Sequence, residues 1–112
     1  MTIKIKDKEV SLRHSFKAEM IFETAENHTF NGASTKDWIT MYFCTVIAST
    51  PSDDTWLTFT EFLDWLDTDG NEGSLYDFIE SYTEHAVAMN ELRKAREEEG
   101  DKGKKAKKGA KR

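Results

Sequence analysis

An apolar segment from Trp38 to Ala48 constrains the fold of this chain more than any other part of the sequence. It follows Ser34 and Asp37, which are spaced as in a helix capping box, and it ends shortly before Pro51, which cannot continue a helix. Its apolar side chains recur at helical spacing, and they are Trp38, Ile39, Tyr42, Phe43, Val46 and Ile47. A chain of 112 residues has room for one hydrophobic core. We therefore expect a helix over residues 35–49 at the centre of that core.

Two shorter segments with helical spacing lie on either side of this central helix. Ser15 can cap a helix over residues 15–26. Thr58 and Glu61 form a capping box at the start of a helix over residues 59–66. In the first of these helices, the side chains expected to form the apolar stripe are Phe16, Met20, Ile21 and Ala25.

The C-terminal part of the chain predicts one more helix and then a tail. Ser74 and Asp77 can open a fourth helix over residues 74–99. Its apolar stripe consists of Leu75, Phe78, Ile79, Tyr82, Ala86 and Met89. Residues 101–112 contain only Asp, Gly, Ala, Lys and Arg, so we expect a disordered basic tail after a folded domain of residues 1–100.

The N-terminal residues alternate apolar with polar side chains, which is typical of half-buried strands. We expect a β-hairpin over residues 2–13 with its turn at Asp7-Lys8. That turn would pair position 3 with 12 and position 5 with 10, so that one face carries Ile3, Ile5, Val10 and Leu12. Because two strands alone are marginal in water, this face must lie against helices. The fold class expected is therefore α+β, a two-stranded hairpin packed on a bundle of about four helices.

Charge divides the chain into two parts of opposite sign. From Asp101 onward there are seven basic residues and one acidic residue, whereas residues 1–100 carry nine basic and 20 acidic residues, a net charge of -11. The tail can be a nucleic-acid contact, a docking element for an acidic partner, or a solubilising extension. The acidic body and the absence of aromatic residues among the lysines argue against nucleic acid.

An acidic loop after the third helix has some features of a calcium site. Asp67, Asp69 and Asn71 occupy positions 1, 3 and 5 of an EF-hand frame. Position 6 of that frame is Glu72 instead of Gly, and position 12 is Phe78 instead of Glu. A solvated loop that caps the next helix is the better interpretation.

No spacing in the sequence marks a catalytic nucleophile, a zinc site or a phosphate loop. Cys44 is the only cysteine and lies within the apolar segment, so we expect it to be buried. His14, His28 and His85 are scattered, and each is expected at the surface or at the edge of the core. We expect a protein that is not an enzyme and that has no cofactor.

The location expected is the cytosol. The apolar segment spans 11 residues, about half of what a bilayer-crossing helix requires. The first residues alternate apolar with charged side chains, whereas a secretory signal needs a continuous apolar stretch.

The order of these elements resembles that of the tail assembly chaperones of long-tailed bacteriophages. The resemblance covers roughly residues 1–80 and depends on patterns of packing and capping. The matching stretches are Ile3-Lys4-Ile5, Lys8-Glu9-Val10, Ser15-Phe16-Lys17-Ala18 leading to Phe22-Glu23, Ile47-Ala48-Ser49, and Leu57-Thr58-Phe59-Thr60-Glu61-Phe62-Leu63-Asp64-Trp65-Leu66.

The resemblance implies a non-enzymatic protein of the infected host's cytoplasm. It would coat the tape measure protein, recruit tail tube subunits during tail assembly, and be absent from the mature virion. Such chaperones are often also made as a longer frameshifted product. Self-association between an acidic body and a basic tail would fit repeated, reversible assembly.

We place the partner-binding surface on the distal fourth helix and the tail, because flexible Met side chains suit adaptable contacts. The residues expected there are Tyr82, Met89, Leu92, Lys104, Lys105, Lys107 and Lys108. A second interpretation is a small nucleic-acid-associated or regulatory protein that acts through residues 102–112. A third is a metal-sensing module built on the acidic loop.

Overall fold

The computed structural model describes the backbone of residues 1–50 and 55–111, and the side chains of residues 1–50 and 55–97. Its elements in chain order are β1 (Thr2–Ile5), β2 (Lys8–Ser11), α1 (Phe16–Glu26), α2 (Thr35–Ala48), α3 (Phe59–Leu66) and α4 (Gly73–Lys111). This confirms the expected hairpin and four helices. Met1–Ser81 forms one compact unit and Tyr82–Arg112 a second.

The hairpin forms with a different turn from the one expected. Its two central turn residues are Lys6 and Asp7, both with positive φ (52° and 60°), instead of Asp7-Lys8. Ile3 consequently pairs with Val10, and the predicted pairing of positions 3 and 12 is wrong. A two-residue turn with positive φ at both positions matches the twist of the strands, and Asp tolerates this conformation well. The register differs by two residues, so the buried face still carries Ile3, Ile5 and Val10. Leu12, which was also expected there, follows the end of β2 and is half-buried.

Side-chain caps start the first three helices at the predicted positions. Ser15 accepts a hydrogen bond from the backbone N–H of Ala18, and Ser34 accepts one from the N–H of Asp37. At α3 the capping box is complete, since Thr58 accepts from the N–H of Glu61 and the Glu61 carboxylate accepts from the N–H of Thr58. These bonds satisfy N–H groups that a helix leaves without partners in its first turn.

The second helix, α2, is the centre of the core, as expected. Its buried side chains cover more than one face of the helix, and they are Asp37, Thr40, Met41, Tyr42, Cys44, Thr45, Val46 and Ile47. A helix that buries its side chains on several faces must have neighbours on several sides. The hydroxyl groups of Thr40 and Thr45 donate hydrogen bonds to the carbonyls of Lys36 and Met41, respectively, and each bond is 2.8 Å long.

Aromatic rings connect α2 to its neighbours. Tyr42 contacts Phe62 of α3 edge to face at 5.0 Å and stacks on Phe78 of α4 at 4.7 Å. Phe22 of α1 reaches α2 through Phe30, which packs against both Phe22 and Trp38. Such pairs stabilise a fold beyond the area that they bury. The rings therefore fix the positions of three helices around α2.

The first helix, α1, turns a different face to the core from the one expected. Phe16 and Met20, which the sequence places in the core stripe, are 78% and 65% exposed. Ala18 and Phe22 are buried in their place, at 0% exposure. Phe22 brings a ring to the aromatic contacts around α2, and neighbouring apolar residues on a helix cannot all share one side. Tertiary packing thus selects between two apolar stripes of the same helix.

Polar contacts of β1 and of the hairpin turn attach the hairpin to α3 and to Trp56, which precedes α3. The indole of Trp65 donates to the carbonyl of Lys4 over 2.9 Å, and the Lys6 ammonium donates to the carbonyl of Trp56 over 2.9 Å. Lys6 also forms an ion pair with Glu61 at 2.9 Å, and the Lys8 ammonium lies 4.6 Å from the centroid of the Trp56 ring. These contacts hold the hairpin face over the helices.

The fourth helix, α4, spans Gly73–Lys111. The predicted disorder of residues 101–112 stays a prediction. In the described part of the chain, no helix combines the length and the apolar character needed to cross a membrane.

Candidate functional site

The predicted binding residues of the fourth helix lie on one face of the second unit. Tyr82, Met89 and Leu92 are separated by seven and three residues, so they align along the helix axis. We call these three residues the distal α4 face. Met89 is 45% exposed and Leu92 63% exposed, while Tyr82 is half-buried. The side chains of Met89 and Leu92 are therefore accessible to a partner.

Charged and polar side chains surround the distal α4 face. Arg93 donates to the side-chain oxygen of Asn90 over 2.7 Å. Its guanidinium also forms a long ion pair of 3.9 Å with Glu97, one helical turn later, and both side chains are largely exposed. Exposed pairs of this kind contribute little to stability, so Arg93 can exchange Glu97 for another carboxylate.

The four predicted lysines lie in the last part of α4. The backbone there is helical, and the side chains of Lys104, Lys105, Lys107 and Lys108 lie outside the described residues. Their role in binding stays a prediction.

A second apolar surface lies on the outward side of α1. Phe16 and Met20 are one helical turn apart, and both are largely exposed. We call these two residues the outer α1 face. A groove of about 590 Å³ runs beside them and is lined by Lys17, Met20, Ile21, Thr24 and Ala25. Apart from Lys17 and Thr24, this lining is apolar.

The groove continues into a hollow between three helices. This hollow has a volume of about 250 Å³ and shares Ile21 and Ala25 with the groove. Phe43 of α2 and Phe59 of α3 form part of its wall, and their rings contact each other edge to face at 5.4 Å. An apolar stripe on α1 therefore leads into a half-buried aromatic wall.

Sequence reasoning missed the outer α1 face because it assigned Phe16 and Met20 to the core. The number of apolar residues in α1 is the feature of the sequence that indicates an exposed apolar face. They stand at positions 16, 18, 20, 21, 22 and 25, and six such positions in an 11-residue helix surround too much of it to be buried by one neighbour. Some of them must remain at the surface.

The thiol of Cys44 and the phenol of Tyr42 are held in their neutral forms by burial in the core. Burial, together with the charge of Glu26, raises the pKa of the Cys44 thiol to about 12. Burial also raises the pKa of the Tyr42 phenol to about 12, although a hydrogen bond with Ser74 acts in the opposite direction. A thiol that stays protonated at neutral pH is a poor nucleophile, so Cys44 acts here as a small core residue.

The side chain of Asn71 in the acidic loop caps the end of α3, and no side-chain cap of the next helix, α4, is seen among the described residues. Asp67 and Asp69 are exposed, and the side-chain amide of Asn71 donates to the carbonyl of Trp65 over 2.9 Å. The hydroxyl of Ser74 donates to the carbonyl of Asn71. Among the residues whose side chains are described, no group of three or more His, Cys, Asp and Glu residues is placed to hold a metal ion.

The histidines occupy the expected surface and boundary positions. His14 is half-buried, with Nε2 at 2.8 Å from the Ser81 hydroxyl, and it packs against the Phe78 ring. His28 is exposed and lies 3.7 Å from the Asp37 carboxylate, and His85 is exposed.

The fold and its surfaces define a small α+β domain with two apolar helix faces open to solvent. No known family model, curated protein or solved structure matches this chain.

Proposed function

We propose that this protein is a non-enzymatic bacteriophage tail assembly chaperone that binds the tape measure and tail tube proteins in the host cytoplasm. The outer α1 face is the observation that carries this proposal. Phe16 and Met20 are 78% and 65% exposed on a helix whose opposite side is fully buried at Ala18 and Phe22. Clustered exposed apolar side chains beside a groove are typical of protein interaction sites.

A chaperone for helical tail proteins needs such a surface. An amphipathic helix can lay its apolar side into a groove of this kind and remove the outer α1 face from water. Each square ångström of apolar surface buried contributes about 25 cal/mol, so a single helix-in-groove contact gives modest affinity. Contacts repeated along an extended partner add up and can later be released.

The distal α4 face supports the same role with a second set of contacts. Met89 and Leu92 are apolar, exposed and flexible enough to follow different partner surfaces. A domain with two separate apolar faces can hold two segments of one long partner or one segment from each of two partners. A protein that binds both the tape measure protein and the tail tube protein needs two such faces.

Co-expression with a tape measure protein tests the proposal. We expect the wild-type chain to keep it soluble and to purify with it, whereas the double variant Phe16→Ser/Met20→Ser loses most of this capture. Tyr76→Ser is the control, because Tyr76 is 71% exposed and does not belong to the outer α1 face.

Two results would contradict the proposal. One is a tape measure protein that stays equally insoluble with and without the wild-type chain. The other is a chain that retains DNA in a gel shift through residues 102–112 and captures no tail protein, which would favour the nucleic-acid interpretation.

A further inference from the structure

Two arginines share the side of the helix that carries the distal α4 face. Met89, Leu92, Arg93 and Arg96 stand at positions i, i+3, i+4 and i+7 of one continuous helix. Residues at these intervals lie on the same side of an α-helix. This side therefore begins with apolar groups and ends with two guanidinium groups.

Of the three acidic residues from Tyr82 to Glu97, two lie on the opposite side of the helix. Glu91 follows Met89 by two residues, which turns it roughly 200° around the helix axis. Glu84 precedes Glu91 by seven residues and so lies on the same side as Glu91. Glu97 is closer to the arginines and forms the long, exposed pair with Arg93 described above. Among the described side chains of this segment, Arg93 and Arg96 outnumber Glu97 on the side of the distal α4 face, whereas residues 1–100 as a whole are strongly acidic.

We propose, taking from the proposed function only that the partner is a tail protein, that the distal α4 face binds an amphipathic helix with carboxylates beside its apolar stripe. The apolar stripe of the partner helix covers Met89 and Leu92, as in other pairs of amphipathic helices. The carboxylates meet Arg93 and Arg96, whose planar guanidinium groups can bind a carboxylate with two parallel hydrogen bonds.

Charge and apolar surface together decide the class of the partner. A nucleic-acid backbone offers phosphates to the arginines but leaves Met89 and Leu92 in water, since phosphate contacts bury no apolar side chain. A neutral apolar helix covers Met89 and Leu92 but brings no carboxylate to Arg96, and it leaves Arg93 with only its long pair to Glu97. Only a partner with both features is complementary to the whole surface.

Synthetic helical peptides of about three heptads test this proposal with the full-length protein. The first peptide has Leu at its a and d positions and Glu at e and g. The second has Lys in place of every Glu, and the third keeps Glu but has Gln in place of every Leu. We expect fluorescence anisotropy to show saturable binding of the first peptide only, and binding that weakens as salt rises from about 50 to 500 mM.

Matched pairs of variants locate the binding. Arg96→Glu and Lys94→Glu change the net charge equally, but Lys94 lies two residues from Arg96 and therefore on the other side of the helix. We expect Arg96→Glu to weaken the binding of the first peptide several-fold, and Arg93→Glu/Arg96→Glu to weaken it by about tenfold or more. Lys94→Glu should change this affinity by less than about twofold. Met89→Ser should weaken it more than Val87→Ser, although Val87 is also 53% exposed.

The proposal is overturned if the Lys peptide binds as well as the Glu peptide, or if Arg96→Glu and Lys94→Glu behave alike. It is also overturned if double-stranded DNA binds through Arg93 and Arg96 while the peptides do not. Self-association that disappears in Arg93→Glu/Arg96→Glu, with no peptide binding, would assign this face to a second copy of the chain instead. Circular dichroism checks that the variants keep their helices, which Glu in place of Arg should preserve.

The two proposals fail in different experiments. If the Glu peptide binds through Arg96 but no tail protein is captured, the chemistry of the face stands and the chaperone role falls. If tail proteins are captured but the peptides do not bind this face, the chaperone role stands and the acidic-helix proposal is wrong.

Discussion

The rings of Tyr42 and Phe78 stack nearly parallel, with centroids 4.7 Å apart and planes 5° apart. Both side chains are fully buried. The Tyr42 hydroxyl also donates to Ser74 over 2.9 Å, so α2 contacts the first turns of α4 through one ring and one hydroxyl group. This stack fixes where α4 enters the core of the first unit.

Removing one ring of the stack should destabilise the first unit strongly. We expect Phe78→Ala to lower the free energy of unfolding by about 3–5 kcal/mol, because the lost ring leaves a cavity in a close-packed core. Tyr76→Ala is the matched control, since Tyr76 is an aromatic residue of the same helix that is 71% exposed. Urea unfolding followed by circular dichroism measures both. Equal effects would show that Phe78 is not a core residue.

The two phenylalanines of α1 should behave in opposite ways. Phe22 is 0% exposed and Phe16 is 78% exposed. We expect Phe22→Ala to lower the free energy of unfolding by about 3–5 kcal/mol and Phe16→Ala to change it by less than about 0.5 kcal/mol. Thermal unfolding of the two variants compares the same chemical change on opposite sides of one helix. A large effect of Phe16→Ala would restore the sequence-based assignment of its stripe to the core.

The ion pair at the hairpin turn predicts a pH dependence. The hydrogen bond from Lys6 lowers the pKa of the Glu61 carboxyl below its ordinary value of 4.5. A lowered pKa in the folded state stabilises the protein above about pH 4.5, and this contribution is lost as pH falls through the folded-state pKa. Glu61→Gln should therefore be less stable than wild type at pH 7, with the difference narrowing towards pH 3.

Urea unfolding of wild type and Glu61→Gln between pH 3 and 7 measures this difference. Lys6→Met is the companion variant, because it removes the other partner of the same ion pair. Its difference in stability from wild type should narrow in the same pH range. Stability curves that run parallel across the whole range would contradict the prediction.

The buried cysteine predicts slow thiol chemistry. Burial raises the pKa of Cys44 from 9.0 to about 12, so the folded protein holds the thiol proton more tightly than the unfolded chain does. The stabilisation is complete below about pH 9 and is lost as pH rises towards 12. We expect an alkylating reagent at pH 8 to modify Cys44 only when urea unfolds the chain. Rapid modification of the folded protein would contradict the placement of Cys44 in the core.

The starts of the helices could be predicted because their signals are local. Ser15, Ser34 and Thr58 accept hydrogen bonds from N–H groups three residues ahead, and this spacing is visible in the sequence. The central position of α2 could be predicted as well, since the longest apolar segment of the sequence, Trp38 to Ala48, lies in this helix. Of the candidate site, the exposed residues Met89 and Leu92 were identified from sequence, whereas Phe16 and Met20 were not.

The hairpin register depends on geometry that the residue pattern leaves open. Shifting the turn from Asp7-Lys8 to Lys6-Asp7 moves the pairing by two residues and keeps Ile3, Ile5 and Val10 on the buried face. Alternation therefore determines the face but not the partners. The polar contacts of Lys4 and Lys6 with Trp65, Trp56 and Glu61 are long-range and favour the observed turn.

The sequence by itself determined the kinds of elements, their order and the helix starts, because capping and periodicity act between residues a few positions apart. Only the tertiary structure decided which side of α1 is buried. Both of its apolar stripes satisfy the local rules, and the choice depends on Phe22 reaching the aromatic contacts around α2 from another part of the chain. The exposure of Phe16 and Met20 follows from that long-range packing, and so does the surface on which the proposed function depends.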